Sequence, residues 1–266
     1  MDLIKLQFMV LAAAGEYKAA IKTGEEMALM DTAVVNPAYF NKMIALYDKD
    51  SLPQKAVEMA ARATAKFPAD AELWQFYSQM LKKSGQVQQA IAAARQALVV
   101  NPKIPNGWTQ IAIAYNEMGL PDSALVALRA AKAAGDDVNS VGGIALTIGN
   151  RAFRAATAAE PKTVAAFQRV LSYLHFADST ITDVQNKTTA KFLVGASSYY
   201  IVNVLAQGLA ASKSCDEAKL AQTTIVDATI YTQQGGRAFQ ENAAAILGGL
   251  NQLSPYVDAQ VKAFCK

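Results

Sequence analysis

Residues of unusual type recur every 34 positions. That spacing restricts the chain to a stacked helical unit more tightly than any single motif in it. Trp74 and Trp108 are 34 apart, as are Pro68 and Pro102, and Gly85 and Gly119, with Ser51 one period earlier. Ala56, Ala90 and Ala124 keep the same step, and so do Ala63, Ala97 and Ala131. Running backward, Gly15, Tyr17 and Ala20 follow the pattern after an offset of two residues near Thr32 to Asn36. After Gly135 the period fails. Alanine is abundant, and only 8 Pro and 15 Gly occur in 266 residues, so strong helix formers dominate and the fold class is all-α.

The physical content of the period is a pair of antiparallel helices, A and B, that cannot bury their apolar faces alone and must stack on the next pair. Small residues at Ala56, Ala90 and Ala124 let helix B approach helix A closely. Gly85 and Gly119 supply the positive φ that ends helix A. Asn101-Pro102 stops helix B, because the residue before a proline avoids the helical region.

This pattern resembles the tetratricopeptide repeat family over residues 1–135, half the chain. Trp74, Leu81, Gly85, Ala90, Ala97 and Pro102 fill the family's places in the third repeat. Trp108, Tyr115, Gly119, Ala124 and Ala131 fill them in the fourth, where Asp136 replaces the closing proline. Phe40, Tyr47, Ala56, Ala63 and Pro68 fill the second, and the first is the weakest match. The resemblance implies a right-handed superhelical stack of four hairpins. It also implies a protein or peptide partner, held on the concave face made by the A helices.

In that register Asn41, Gln75 and Thr109 occupy equivalent groove positions. Ala45, Gln79 and Ile113 form the next row, Asp48, Lys82 and Asn116 another, and Lys49, Lys83 and Glu117 the last. Amides both donate and accept, so Asn41, Gln75, Gln79 and Asn116, with Thr109 and Lys82, suit the backbone of an extended peptide. In the subgroup that clamps acidic chaperone C-termini, basic and Asn residues recur in the groove. Here Lys5 is present, but Met9 and Ala45 stand where amides belong, so that ligand is not implied.

Residues 136–266 read as helical without the signature, over about 140–159, 161–178, 187–211, 215–232, 237–250 and 254–265. Pro161 and Pro255 suit first turns, Asp216 and Glu217 suit a helix start, and Ser212-Lys213-Ser214 and Gly235-Gly236 read as breaks. This half is expected to cap or extend the stack. Phe192 to Ser212 runs 21 residues without a charge. Asn203 and Gln207 inside it would be costly in lipid, so it reads as a buried core helix rather than a membrane span. Phe8 to Ala14 is apolar but falls into repeat register, and it reads as a helix rather than a signal peptide.

The chemistry of catalysis is sparse. His175 is the only histidine, too few for a triad or a histidine metal site. Gly142-Gly143 and Gly248-Gly249 lack the lysine and the strand–loop–helix setting of phosphate loops. The net charge of +3 is spread along the chain, with no basic run longer than Lys82-Lys83, so a nucleic-acid surface is not expected. No metal or cofactor is expected. The Asn186-Lys187-Thr188 sequon is common by chance.

The function these features favour is a non-catalytic adaptor or scaffold. The alternative is a structural subunit of a permanent assembly, in the envelope or outside the cell. Cys215 and Cys265 are the only cysteines, both outside the repeats. A disulfide between them would tie down the C-terminus and place the chain in a periplasm or the exterior. Two separate thiols in a cytoplasmic protein is the other reading.

Overall fold

A computed structural model describes residues 2–265. Among them every regular element is helical, and packing divides the chain into two compact units, Met1–Ala134 and Gly135–Lys266.

The first unit is four antiparallel hairpins. They are α1 (Asp2–Ala14) with α2 (Tyr17–Met30), α3 (Pro37–Lys49) with α4 (Pro53–Lys66), α5 (Ala71–Lys83) with α6 (Val87–Val100), and α7 (Gly107–Glu117) with α8 (Pro121–Ala134). The apolar N-terminal segment is α1, and it buries Phe8 and Ala12. Each A–B junction turns on one left-handed residue: Gly15 at φ 81°, Ser51 at 58°, Gly85 at 79° and Gly119 at 71°. The position that holds Ser in one repeat and Gly in the others thus does the same conformational work in all four. The offset of two residues is a 3-10 turn at Thr32–Val34. It ends before Asn36, whose side chain accepts from the Tyr39 N–H at 3.0 Å and caps α3, with Pro37 in the first turn.

The repeat series have visible causes. Ala56, Ala90, Ala124, Ala63, Ala97 and Ala131 are all at most 1% exposed, so no larger side chain fits where helix B meets its neighbours. Trp74 donates its indole N–H to the Pro68 carbonyl at 2.9 Å, which ties the aromatic of one repeat to the proline that precedes it. Asn101 is extended, at φ −137° and ψ 98°, and ends α6. The core runs through Phe40, Met43, Ile44, Leu73, Leu81, Ile111 and Leu128.

The second unit is α9 (Val138–Ala158), α10 (Val164–Thr180), α11 (Val184–Ser212), α12 (Cys215–Gly235) and α13 (Gln240–Phe264). Side-chain caps set the first four starts. Asp137, Thr163, Asp183 and Ser214 each accept from a backbone N–H three residues on. Two expectations are corrected. Pro161 does not open a helix; α10 begins at Val164, because Thr163 caps it. The expected pair of C-terminal helices is one helix, α13, that runs through Pro255. An interior proline costs about 3 kcal/mol, but α13 buries Ile246, Leu250 and Val257 on either side of it, and packing outweighs the lost bond.

α11 is the central helix of this unit and packs on α10, α12 and α13. Among the described residues it is the one helix long and apolar enough to cross a membrane by length and composition, and 67% of its most apolar window is buried inside the fold. Ser197 and Ser198 lie within it, nearly sealed from solvent. The Ser197 hydroxyl donates to the Leu193 carbonyl at 2.7 Å, which satisfies it without a partner from another helix.

Candidate protein-binding face

The A helices α1, α3, α5 and α7 carry the expected groove residues, and their side chains are not equally free. Gln79 is half-buried and makes no hydrogen bond within the described residues. Gln75, also half-buried, donates to the Pro105 carbonyl at 2.7 Å, across to the loop before α7. Asn41 is half-buried, and its Oδ1 is sealed without a partner. A buried acceptor without a bond costs about 1–3 kcal/mol. Thr109 is 3% exposed; it packs inside the stack rather than presenting a hydroxyl to a ligand. Asn116 is half-buried one turn further along α7 than Ala112.

The charged rows pair between neighbouring repeats. Lys83 binds Asp48 at 2.5 Å, and Lys82 lies 3.7 Å from Glu117. Both pairs are partly exposed, so each is worth no more than about 1 kcal/mol. Their effect is to leave the face mixed in sign, without a field selective for an acidic or a basic peptide.

Two tyrosines on α3 hold the second repeat to the first. Tyr39 donates its hydroxyl to the Gly24 carbonyl at 3.2 Å, and Tyr47 donates to Glu25 Oε1 at 2.5 Å. Burial, first, and the Glu25 carboxylate beside it, second, push the Tyr47 hydroxyl far above its ordinary range. These are structural hydroxyls in the packed interface rather than acids available to a substrate.

The repeat register alone did not point to two further concave regions. One, about 470 Å³, lies at the N-terminal end between α1 and α3, with Phe8, Met9, Met27 and Tyr39 in its walls and Lys5 and Lys42 beside them. The other is an aromatic cleft in the second unit, about 340 Å³, built around Tyr199 and Tyr200 of α11. The only sequence signal for the second was a tyrosine pair inside an uncharged run. His175 is exposed, edge-on to Tyr231 at 5.5 Å. Among the described residues no three His, Cys, Asp or Glu side chains gather as metal ligands do. Cys215 and Cys265 are disulfide-bonded, with Cα atoms 5.0 Å apart.

Hairpins of 34-residue period, turning on a left-handed residue at each A–B junction, define a helical-repeat fold of the tetratricopeptide type. No protein-family model matches the chain, and no curated protein matches its sequence. Solved structures do match. The C-terminal part of a TPR repeat-containing protein from Cytophaga hutchinsonii matches with a TM-score of 0.52 at 12% identity, over 96% of this chain and 98% of that one. A TPR repeats protein from Bacteroides fragilis matches with a TM-score of 0.52 at 16% identity, over 83% of this chain and 99% of its own. The MamA protein matches with a TM-score of 0.50 at 18% identity, over 68% of this chain and 93% of its own. At such identities the likeness is one of fold. The match from Cytophaga reaches well into the second unit, where the sequence carries no repeat.

Proposed function

We propose that this protein is a non-catalytic interaction scaffold, and that the A-helix face of its first unit holds an extended segment of a partner protein. The observation that carries the reading is the amide row of α3 and α5. Gln79 is uncommitted, the Asn41 acceptor is unpaired, and Gln75 is bound only to a loop carbonyl. Such groups can serve the N–H and C=O of a peptide backbone without demanding a particular side chain. Lys82 and Asn116 border the row, and Thr109 supports it from inside.

The test is site-specific photo-crosslinking in cells of origin. A benzophenone amino acid at Gln79 is expected to capture a discrete protein partner. The same group at Gln88, exposed on the opposite helix of that hairpin, is expected to capture none. Equal capture from both positions, or from neither, would reject the groove.

A second reading, a subunit of a permanent assembly, has one observation in its favour. Leu3, Leu6 and Val10 form an exposed apolar stripe along α1, at 80%, 58% and 56% exposure. Spacing of three and four residues puts them on one helix face. Sedimentation of the purified chain separates the two: a monomer at micromolar concentration favours the scaffold, and a closed oligomer favours the subunit.

The disulfide supports an oxidising compartment, a periplasm or the cell exterior, over the cytoplasm. Fractionation of cells, with the thiols trapped before lysis, tests that placement.

A further inference from the structure

The first hairpin carries a second binding face, separate from the groove. α3, α5 and α7 each pack on the B helix of the repeat before them. Tyr39 of α3 donates to the Gly24 carbonyl of α2. A Cβ at Gly107 of α7 would lie 2.8 Å from Leu98 of α6, and Tyr115 accepts from Arg95 of α6 at 2.8 Å. Leu98 thus meets the start of α7 and Arg95 its end, so the two helices run antiparallel.

In the repeat register Leu3 and Val10 of α1 hold the places of Tyr39 and Leu46 in α3, Leu73 and Met80 in α5, and Gly107 and Ala114 in α7. In those three helices both places are buried. In α1 they are 80% and 56% exposed. Gln7 between them is exposed where Met43 and Ile111 are buried, and Leu11 is half-buried. An end repeat that faces water needs a polar outer face. Leu3 and Val10, two turns apart on one side of α1, are instead the residues of a helix that is covered by another.

The molecule shows three times what covers this face. At the crossing the B helices place Gly24, Ala60 and Ala94, one position in the register, all buried. A Cβ at Gly24 would lie 2.6 Å from Met43 Sδ, so only the smallest residues fit. The next B-helix residue follows the A helix it meets. Glu25 and Arg95 bond Tyr47 and Tyr115, whereas Ala61 stands where the A helix has Leu81. α1 has Leu11 at that place, so its complement is a helix of the α4 type, with two adjacent small residues. A two-fold pair of α1 helices would set Leu6 and Gln7 against their own copies, with no small residue at the crossing. We infer that the outer face of α1 docks an amphipathic helix of a partner protein, antiparallel to α1, with adjacent Gly or Ala residues at the crossing, in the manner of an added B helix.

The test titrates the full chain with a fluorescein-labelled peptide of the α4 sequence, residues 53–66. A lactam between positions 58 and 62, both exposed in α4, holds it helical, with Arg62→Lys supplying the amine, because an isolated helix of this length is marginal in water. Saturable binding is expected, and none by a scrambled peptide. Ala60→Leu in the peptide is expected to weaken binding about tenfold, through overpacking. Val10→Asp or Leu3→Asp in the chain changes an exposed residue. Each should leave the circular dichroism and the urea midpoint unchanged and weaken binding about tenfold or more, because the carboxylate would be buried without a partner. Gln79→Ala should change nothing, which separates this face from the groove. No saturable binding, or affinity indifferent to the peptide's Ala60→Leu, would overturn the assignment. Affinity indifferent to both Val10→Asp and Leu3→Asp would do so too, because the peptide would then be replacing α4 itself. So would a homodimer of the chain alone that Val10→Asp dissociates, because the occupant would then be a second copy.

Discussion

Gly235, the last residue of α12, stands so close to α11 that a Cβ there would lie 2.2 Å from the Phe192 amide nitrogen. Its φ of −94° and ψ of −15° are ordinary helical values, so glycine is required by proximity and not by a left-handed turn. Gly195 makes the reciprocal approach from α11, where a Cβ would lie 2.7 Å from the Thr232 nitrogen. The obstacles are backbone atoms, which cannot rotate away. Gly235→Ala is therefore expected to cost about 3 kcal/mol or more, read as a lower midpoint in urea. An unchanged midpoint would mean the two helices separate at no cost.

Ser51 makes the opposite case. It holds a φ of 58° in a turn where the other three repeats place glycine. The left-handed region costs an L-residue roughly 1–2 kcal/mol, and glycine returns part of that as extra freedom in the unfolded chain. Ser51→Gly is expected to stabilise the protein by about 0.5–1 kcal/mol, measured by chemical denaturation. Destabilisation would show that the Ser51 side chain holds the turn.

Alkaline pH should weaken the first unit through Tyr47. The folded chain keeps this phenolic proton well above its ordinary value, because the hydroxyl is buried and donates to Glu25. The unfolded chain releases it near pH ~10. Above that pH the unfolded state binds fewer protons, so stability is complete below about pH 10 and falls as pH rises toward the folded value. Tyr47→Phe removes both the bond and the titration. It should cost about 1–2 kcal/mol at neutral pH, with the gap to wild type narrowing in strong alkali. A gap constant with pH would reject the coupling.

The Cys215–Cys265 bond closes a loop across a separation of 50 residues. In the chain-entropy model such a loop contributes about 4 kcal/mol, and measured values are often smaller. Thiol titration of the unfolded, unreduced protein should find no free thiol. Reduction should lower the thermal midpoint and free the end of α13 to proteolysis first. Two titratable thiols would remove both the bond and the compartment inferred from it.

Local chemistry was legible wherever a position's requirement is met by its own residue type. The 34-residue register, the glycines at A–B junctions and the alanines of helix B all state their demands through their own residue types. The groove rows followed from that register, but which of their members are free did not. Burial of Thr109, and capture of Gln75 by the Pro105 carbonyl, depend on the neighbouring repeat.

The sequence by itself determined that the chain is helical, that its first half is a hairpin stack, and which residues turn each hairpin, because backbone preference and helical period are local properties. Only the tertiary structure decided the rest. Pro255 opens no new helix but lies inside α13, because Leu250 and Val257 gain more by burial than the backbone loses in one bond. Gly235 ends α12 as the Gly-Gly pair suggests, but that it is also a close contact with α11 was decided by a neighbour 43 residues earlier in the chain. The aromatic cleft exists because packing brings Phe153, Tyr200 and Asn242 together from three helices, and no spacing along a single chain encodes a meeting of distant segments.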